Sequence, residues 1–278
     1  MTVGPEWIPP GIDKSRANIA RVYDWWLGGD HNFQADIDAA RTSVALDQNM
    51  RGTARANRDF LGRTVRFLAN EAGIRQFLDI GSGIPTQNNV HQVAQGAVPG
   101  SRVVYVDNDD VAVAHSRLIL QGNTDATVIQ ADLRQPEKVL ADPSIQSLLD
   151  FSRPVGLLLV AVLHFLPDDD EVRDILATLR DSLAPGSYLV ISHTCRDADP
   201  VLAERHEKVY NSRVDTTFRM RTREQITRLF DGFTLAEPGL VWVPEWRPDS
   251  AADVPGDPRK YWLLGGAGRL DSSAGDRS

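Results

Sequence analysis

Gln76-Phe-Leu-Asp-Ile-Gly-Ser-Gly-Ile-Pro-Thr86 is the stretch on which the fold turns. Its first residues read as a short buried strand that ends in glycine. Gly81 and Gly83 then permit a tight turn and a close approach of backbone to a ligand, at the point where a helix should open. A lone G-x-G can be no more than a turn, but this one follows the first strand of an alternating run. The dinucleotide fingerprint needs a third small residue, and Thr86 stands in its place. Asp79 lies two residues before the first glycine instead. A ligand with an amino group suits that acid better than a pyrophosphate does.

Downstream the same rhythm continues. Arg102–Asp107, Ala126–Asp132, Pro154–Phe165 and Ser187–His193 read as strands, and helical segments fill 86–96, 110–121, 137–149 and 170–183. Strands that are apolar on both faces and alternate with helices predict a parallel sheet covered on both sides. A helix at 222–230 and a strand at Phe233–Val243 come next. A loop with Pro244, Pro248, Pro255 and Pro258 leaves no room for a helix before Tyr261–Gly266, so the last two strands should be hairpin neighbours. The reading is an α/β fold, a seven-stranded, mostly parallel sheet whose last strand is antiparallel.

Upstream, residues 1–12 should be an extended arm. Asp13 or Ser15 can cap a helix whose Ile19, Val22, Tyr23 and Trp26 share one face, and Gly28-Gly29 stops it. A second helical region follows Asn32, and Arg51–Asn70 is a third, with Phe60, Leu61, Val65 and Leu68 inward. The expected organisation is a helical lead-in over 1–72, a sheet domain over 73–270 and a disordered tail over 271–278.

Two further acids stand at strand ends. Asp107, 24 residues after Gly83 and followed by Asn108, can accept both hydroxyls of a ribose. Asp132, followed by Leu133, can accept a hydrogen bond from an exocyclic amine such as that of adenine. Either could instead cap the helix or turn that follows. Together with the glycine turn, the three acids describe a nucleoside site at the carboxyl edge of the sheet.

These motifs, in this order, resemble those of the class I S-adenosylmethionine-dependent methyltransferases, a Rossmann-like fold. More narrowly, Ala20-Arg-Val-Tyr-Asp-Trp-Trp-Leu-Gly-Gly-Asp-His-Asn-Phe33 looks like the opening of an actinobacterial S-adenosyl methyltransferase family, long carried as a domain of unknown function. Asn57–Leu61, Gly81–Thr86 and Ala161–Asp168 fit that family too, so the resemblance spans almost the whole chain. Asp30 and His31 depart from it, since the family often has a basic residue and then an acid there. The resemblance implies S-adenosyl-L-methionine as cofactor and S-adenosyl-L-homocysteine as product. It places methionine-end contacts on Asp79, Gly81, Ser82 and Gly83, ribose contacts on Asp107 and Asn108, and adenine contacts on Asp132 and Leu133. Ala161 and His164 would flank the sulfonium and its methyl group. Tyr23, Gly28, Gly29, Asn32 and Phe33 would form a lid, although aromatic residues at helical spacing also serve as plain core.

His164 and His193 both end strands that face this site, and either could act as a general base; each could equally be a neutral, hydrogen-bonded residue. Asp168-Asp169-Asp170-Glu171 suits the positive end of a helix better than a metal. The arginines at 51, 55, 58, 63 and 66, and at 219, 221 and 223, read as solvated faces.

Composition narrows the function further. The 278 residues carry 30 basic and 38 acidic side chains, a net charge of −8, which opposes a main role in neutralising a phosphate backbone. No nucleic-acid partner is expected. Cys195 is the single cysteine, so neither a disulfide within the chain nor a cysteine-based metal site can form, and the histidines lack metal-ligand spacing. Pro and acidic residues interrupt the N-terminus where a signal peptide needs an apolar run, and no stretch reaches the ~18 apolar residues of a membrane span. The expected location is the cytoplasm. The activity expected is in-line transfer of a methyl group to a small-molecule acceptor lying between the lead-in, residues 193–211 and residues 214–224, where Tyr210, Phe218 and Met220 occur. Two alternatives stay open, a nucleoside-binding regulator on the same scaffold and a nicotinamide-dependent oxidoreductase. Thr86 and the Pro-rich hairpin oppose the second. The oligomeric state is left open.

Overall fold

Phe77 and Leu78 are neighbours in β1 (Gln76–Ile80) yet enter different cores, because successive side chains of a strand point to opposite faces. The computed structural model describes residues 8, 11–85, 88–212 and 216–272. The readings of Thr86, of most of the N-terminal arm and of residues 273–278 in the tail lie outside the described residues.

β2 (Arg102–Asp107), β3 (Ala126–Gln130), β4 (Gly156–Val160) and β5 (Tyr188–Thr194) join β1 in parallel, and β8 (Leu263–Arg269) runs antiparallel beside β5. β5 takes one edge of β8. The other edge carries both β6 (Thr234–Leu235) and β7 (Val241–Trp242), so the sheet runs β3-β2-β1-β4-β5-β8 with the last position shared. The single strand expected over 233–243 is therefore two short pieces. A turn closed by Gly239 N donating to Ala236 O separates them, and Pro238 within it has no N–H to give a ladder. The Pro-rich loop also holds more structure than expected, with 3₁₀ turns at Val243–Glu245, Ala251–Asp253 and Pro258–Tyr261. Pro244 and Pro258 stand in the first turns of two of them, where no N–H is needed.

The helices are α1 (Ile19–Leu27), α2 (Gln34–Leu46), α3 (Met50–Asn70), α4 (Val90–Ala97), α5 (Asp110–Ile119), α6 (Pro136–Leu140), α7 (Pro143–Leu148), α8 (Asp169–Asp181), α9 (Pro200–Asn211) and α10 (Arg223–Arg228). Asn18 caps α1, its side chain accepting from Ala20 N at 2.8 Å; Asp13 binds Ser15 instead of the helix. The helix expected over 137–149 divides before Pro143, which cannot supply the N–H that a continuous helix needs. The strand expected over 154–165 stops at Val160. Ala161 adopts φ 57°, and Leu163–Phe165 is already a 3₁₀ turn.

α3 is no accessory. Phe60, Leu61, Val65 and Leu68 pack with Phe77, Val103, Leu158 and Val190 in one core, and a Cβ at Gly265 of β8 would come within 2.8 Å of the Phe60 ring. The opposite face joins Leu78, Val104, Leu157 and Ile191 to Val172, Ile175 and Leu179 of α8. The expected boundary at 72 thus falls inside a packed layer. α1 and α2 form a smaller cluster through Val22, Trp26, Ala39 and Ala40, which meets α3 at Ala54. No helix among the described residues is long and apolar enough to cross a membrane.

β1 lies between β2 and β4, so the chain works outward to β3 and then crosses back. Such a reversal leaves a crevice at the carboxyl ends of the strands, where open α/β sheets bind ligands.

Candidate functional site

A cavity of about 260 Å³ occupies that crevice, far larger than the ~10–15 Å³ that holds one water. Asp79, at the end of β1, lines it and is 4% exposed. Burial pushes its carboxyl up to about 7; the nearby Arg58 guanidinium opposes the shift, and Asp107 adds to it. Among the described residues nothing donates a hydrogen bond to this carboxylate. Arg58, on α3, also lines the cavity, which corrects its reading as part of a solvated face. Arg63 departs from that reading too, donating to the carbonyls of Trp246 at 2.9 Å and Val243 at 2.7 Å.

The turn after β1 divides its work between two glycines. Both have positive φ, 74° at Gly81 and 65° at Gly83. A Cβ on Gly81 would overlap the Val162 side chain, whereas one on Gly83 would meet nothing within 4 Å. The close approach at Gly81 is thus made to the protein itself, and only Gly83 leaves open space. Between them, Ser82 Oγ is buried without a hydrogen-bond partner among the described residues. Asp107 accepts from Gly83 N at 2.7 Å and from Asp109 N at 2.9 Å, one bond to each oxygen, so each keeps a lone pair free. Burial raises this carboxyl as well, to about 6. Asp109, not Asp107, caps α5. Asp132 accepts from Arg134 N at 2.9 Å and lines the cavity beside Leu133 and Asn108.

Beyond β4 the wall changes character. Ala161 N donates to the carbonyl of Ser192 and to its hydroxyl, at 3.1 and 3.0 Å. That hydroxyl donates in turn to Asn57 at 2.6 Å, and Asn57 donates to the Tyr23 hydroxyl at 3.0 Å. One buried chain of bonds therefore ties the strained tip of β4 to α3 and α1. Asn57 opens one of the stretches that resemble the family, but nothing in the sequence ties it to Ser192, which lies far along the chain. His164 lines the cavity, and burial holds its imidazole well below its ordinary pKa. Its Nδ1 is sealed in protein without a partner, which leaves Nε2 as the nitrogen able to meet a ligand.

His193 does not line the cavity. Its Nδ1 lies 2.8 Å from Thr194 O and its Nε2 lies 2.8 Å from Arg221, so the base role expected of it has no open nitrogen to act through. Arg221 is itself fully buried, bonded to the carbonyls of Leu163 and Leu166 and to Asp169. It clasps the turn that carries His164, and the solvated-face reading fails for it. Residues from α9 and the segment after it (His206, Val209, Tyr210, Thr216, Phe218 and Met220) close the far side. α9 itself went unread, although Asp199-Pro200 is an N-cap followed by a proline at the first helical position.

The lead-in covers the crevice through Asn18, Ile19, Ala20, Tyr23 and Trp26 of its first helix and cap. Gly28, Asn32 and Phe33 do not line the cavity. Gly28 ends α1 at φ 91°, and the Asn32 amide donates to Asp24 at 2.9 Å and to Gly29 O at 3.0 Å. Phe33 packs against the cluster of Ile84, Val111 and Ala112, with the Arg21 guanidinium 5.2 Å from its ring. These three build the turn that seats α1 over the glycine loop.

The S-adenosyl methyltransferase family matches residues 5–271. The chain belongs to that family. S-adenosylmethionine is accordingly its cofactor, and its sheet is that of a class I methyltransferase. A methyltransferase candidate from Thermobifida fusca YX superposes with a TM-score of 0.90 at 41% identity, over 96% of this chain and 99% of its own. A DUF574 family protein from Streptomyces avermitilis gives 0.88 at 38% identity, over 92% and 98%. An O-methyltransferase family protein from Burkholderia thailandensis, 14% identical with a TM-score of 0.52 over 84% and 60%, shares the fold alone. Among curated proteins none matches this S-adenosyl methyltransferase.

Proposed function

We propose that this methyltransferase acts on a small molecule held in the inner part of the cavity, with the cofactor spread across the tips of β1, β2 and β3. The observation that carries the reading is the pairing of Asp79 with Arg58. A buried carboxylate with no donor and an arginine beside it, both on one cavity wall, match the ammonium and carboxylate of an amino-acid end. The free lone pairs of Asp107 suit ribose hydroxyls, and Asp132 with Leu133 suits adenine. Asn108 flanks the ribose position, and Gly83 lets the ligand lie against the backbone. The residues present therefore fit the cofactor of the family.

When bound, S-adenosylmethionine would bring a methyl group already activated on a sulfonium. The chain's own tasks are alignment, exclusion of water and disposal of the acceptor's proton. Tyr23 and Trp26 serve exclusion. Ala161, locked by Ser192, shapes the floor where the methyl group would lie. His164, neutral near pH 7, can take a proton at Nε2. A cavity roofed by helices suits a small acceptor better than a polynucleotide, as does the net charge. The test is a transfer assay with isotopically labelled cofactor over a panel of small acceptors. Labelled product that is lost in His164→Ala supports the reading, and transfer only to nucleic acid would contradict it.

A further inference from the structure

The charged side chains that line the cavity are Arg58, Asp79, Asp107, Asp132 and Arg134, and every one belongs to α3 beside Asp79 or to the strand tips of the nucleoside side. The wall beyond Ala161 has none among the described residues. It is built from Phe165, Tyr210 and Phe218, with Met50, Met220 and Leu263 around them. The three rings pack as a group. Tyr210 and Phe218 have centroids 4.8 Å apart at 39°, and Phe165 lies 6.0 Å from Tyr210 and 5.9 Å from Phe218. His164 stands against two of them, 4.4 Å from Phe165 and 5.3 Å from Phe218.

The same wall holds polar atoms that the fold leaves idle. The Tyr210 hydroxyl, Thr194 Oγ1 and His206 Nε2 are buried without partners among the described residues. Like His164 Nδ1 they are sealed in protein, so the polar atom that this wall turns toward a ligand is His164 Nε2. An ionised ligand is another matter, because the described residues of that wall offer no opposite charge to replace lost hydration.

We propose that the methyl acceptor is an uncharged, planar aromatic compound bearing a hydroxyl, seated against Phe165, Tyr210 and Phe218. This rests on the methyl-transfer reading above. Rings recognise rings through offset and edge contacts, and the acceptor's hydroxyl would face His164. In the transfer, the hydroxyl oxygen forms the new bond to carbon, and the carbon–sulfur bond breaks with its electron pair kept by sulfur. The acceptor's proton passes to Nε2 of His164 and from there to solvent. The products are a methyl ether and S-adenosylhomocysteine. An anionic acceptor brings a charge that the described residues of this wall do not match.

The experiment is titration calorimetry of the full chain, first with S-adenosylhomocysteine and then, once saturated, with three neutral hydroxyarenes (2-naphthol, 5-hydroxyindole and 8-hydroxyquinoline). 2-Naphthoate and cyclohexanol serve as the charged and non-aromatic controls. At least one hydroxyarene should bind, at least tenfold tighter than either control. His164→Ala should weaken it by about fivefold, the loss of one hydrogen bond. Phe218→Ala should weaken it by about tenfold or more, the loss of ring packing. Binding of 2-naphthoate as tight as that of 2-naphthol would overturn the proposal, as would failure of all three hydroxyarenes. Failure of S-adenosylhomocysteine to bind would be a different result, contradicting the methyl-transfer reading and this proposal with it.

Discussion

Asp79 shows what the site costs the fold. Folded, it holds its proton up to about pH 7; unfolded, it releases it near the ordinary carboxylate value of about 3.9. Between those values the unfolded chain binds fewer protons, so this residue makes stability fall as pH rises toward 7. At pH 8 the penalty is on the order of 2–4 kcal/mol. Asp79→Asn should therefore raise the melting temperature of the free protein by several degrees at pH 8 and by little at pH 4. An unchanged melting temperature at pH 8 would contradict the account. Cofactor binding should respond in the opposite sense, because an ammonium needs the ionised carboxylate. Titration calorimetry should find the dissociation constant flat above pH 7 and rising about tenfold per pH unit below it. The slope should steepen below about pH 6, where Asp107 also takes up a proton. The strand-end acids were readable in the sequence because position in an alternating run is a local property. Arg58 was not, because its place beside Asp79 depends on how α3 crosses the sheet. His164 and His193 looked alike for the same reason. Only the buried Arg221, distant in sequence, separates them.

Between residue and molecule, the turn after β1 makes a prediction that sequence alone does not distinguish. The sequence reading treats Gly81 and Gly83 as equivalent approaches to the ligand. The structure assigns them different neighbours, Val162 for one and open cavity for the other. Gly81→Ala should lose stability on the order of 2–4 kcal/mol, from left-handed backbone and overlap together. Gly83→Ala should lose about 1–2 kcal/mol for the backbone alone, yet weaken cofactor binding more than its stability loss suggests. Denaturant unfolding and calorimetry on the two variants separate these effects, and equal stability losses would contradict the division. The strand expected over 233–243 does pair with the last strand, but its division into β6 and β7 was hidden for a comparable reason. Their partner is the distant β8, and two residues apiece carry no periodic signal.

The molecule as a whole is one layered sheet with a small cover. α3 shares its core with β1, β2 and β4, while α1 and α2 touch that core only at its margin. Removal of residues 1–46 should leave a cooperative thermal transition and a near-native circular dichroism spectrum, with cofactor affinity lost. Removal of residues 1–72 also takes Phe60, Leu61, Val65 and Leu68, each buried to within 4%. Truncating one such side chain costs about 2–5 kcal/mol, against about 5–15 kcal/mol for a whole domain. That deletion should abolish the transition. Two deletions with the same melting behaviour would mean that the cover and α3 form one unit after all.

The central claim is that the strand tips hold S-adenosylmethionine, and Asp107 tests it most directly. Its free lone pairs are assigned to the ribose, while its two backbone bonds reach Gly83 N of the glycine turn and Asp109 N beside it. Calorimetric titration of S-adenosylhomocysteine into the parent protein and into Asp107→Ala compares them under one condition, at pH 8. The account predicts a loss on the order of 1.5–3 kcal/mol of binding energy in the variant, with the fold retained. Equal affinity in the two proteins would contradict it.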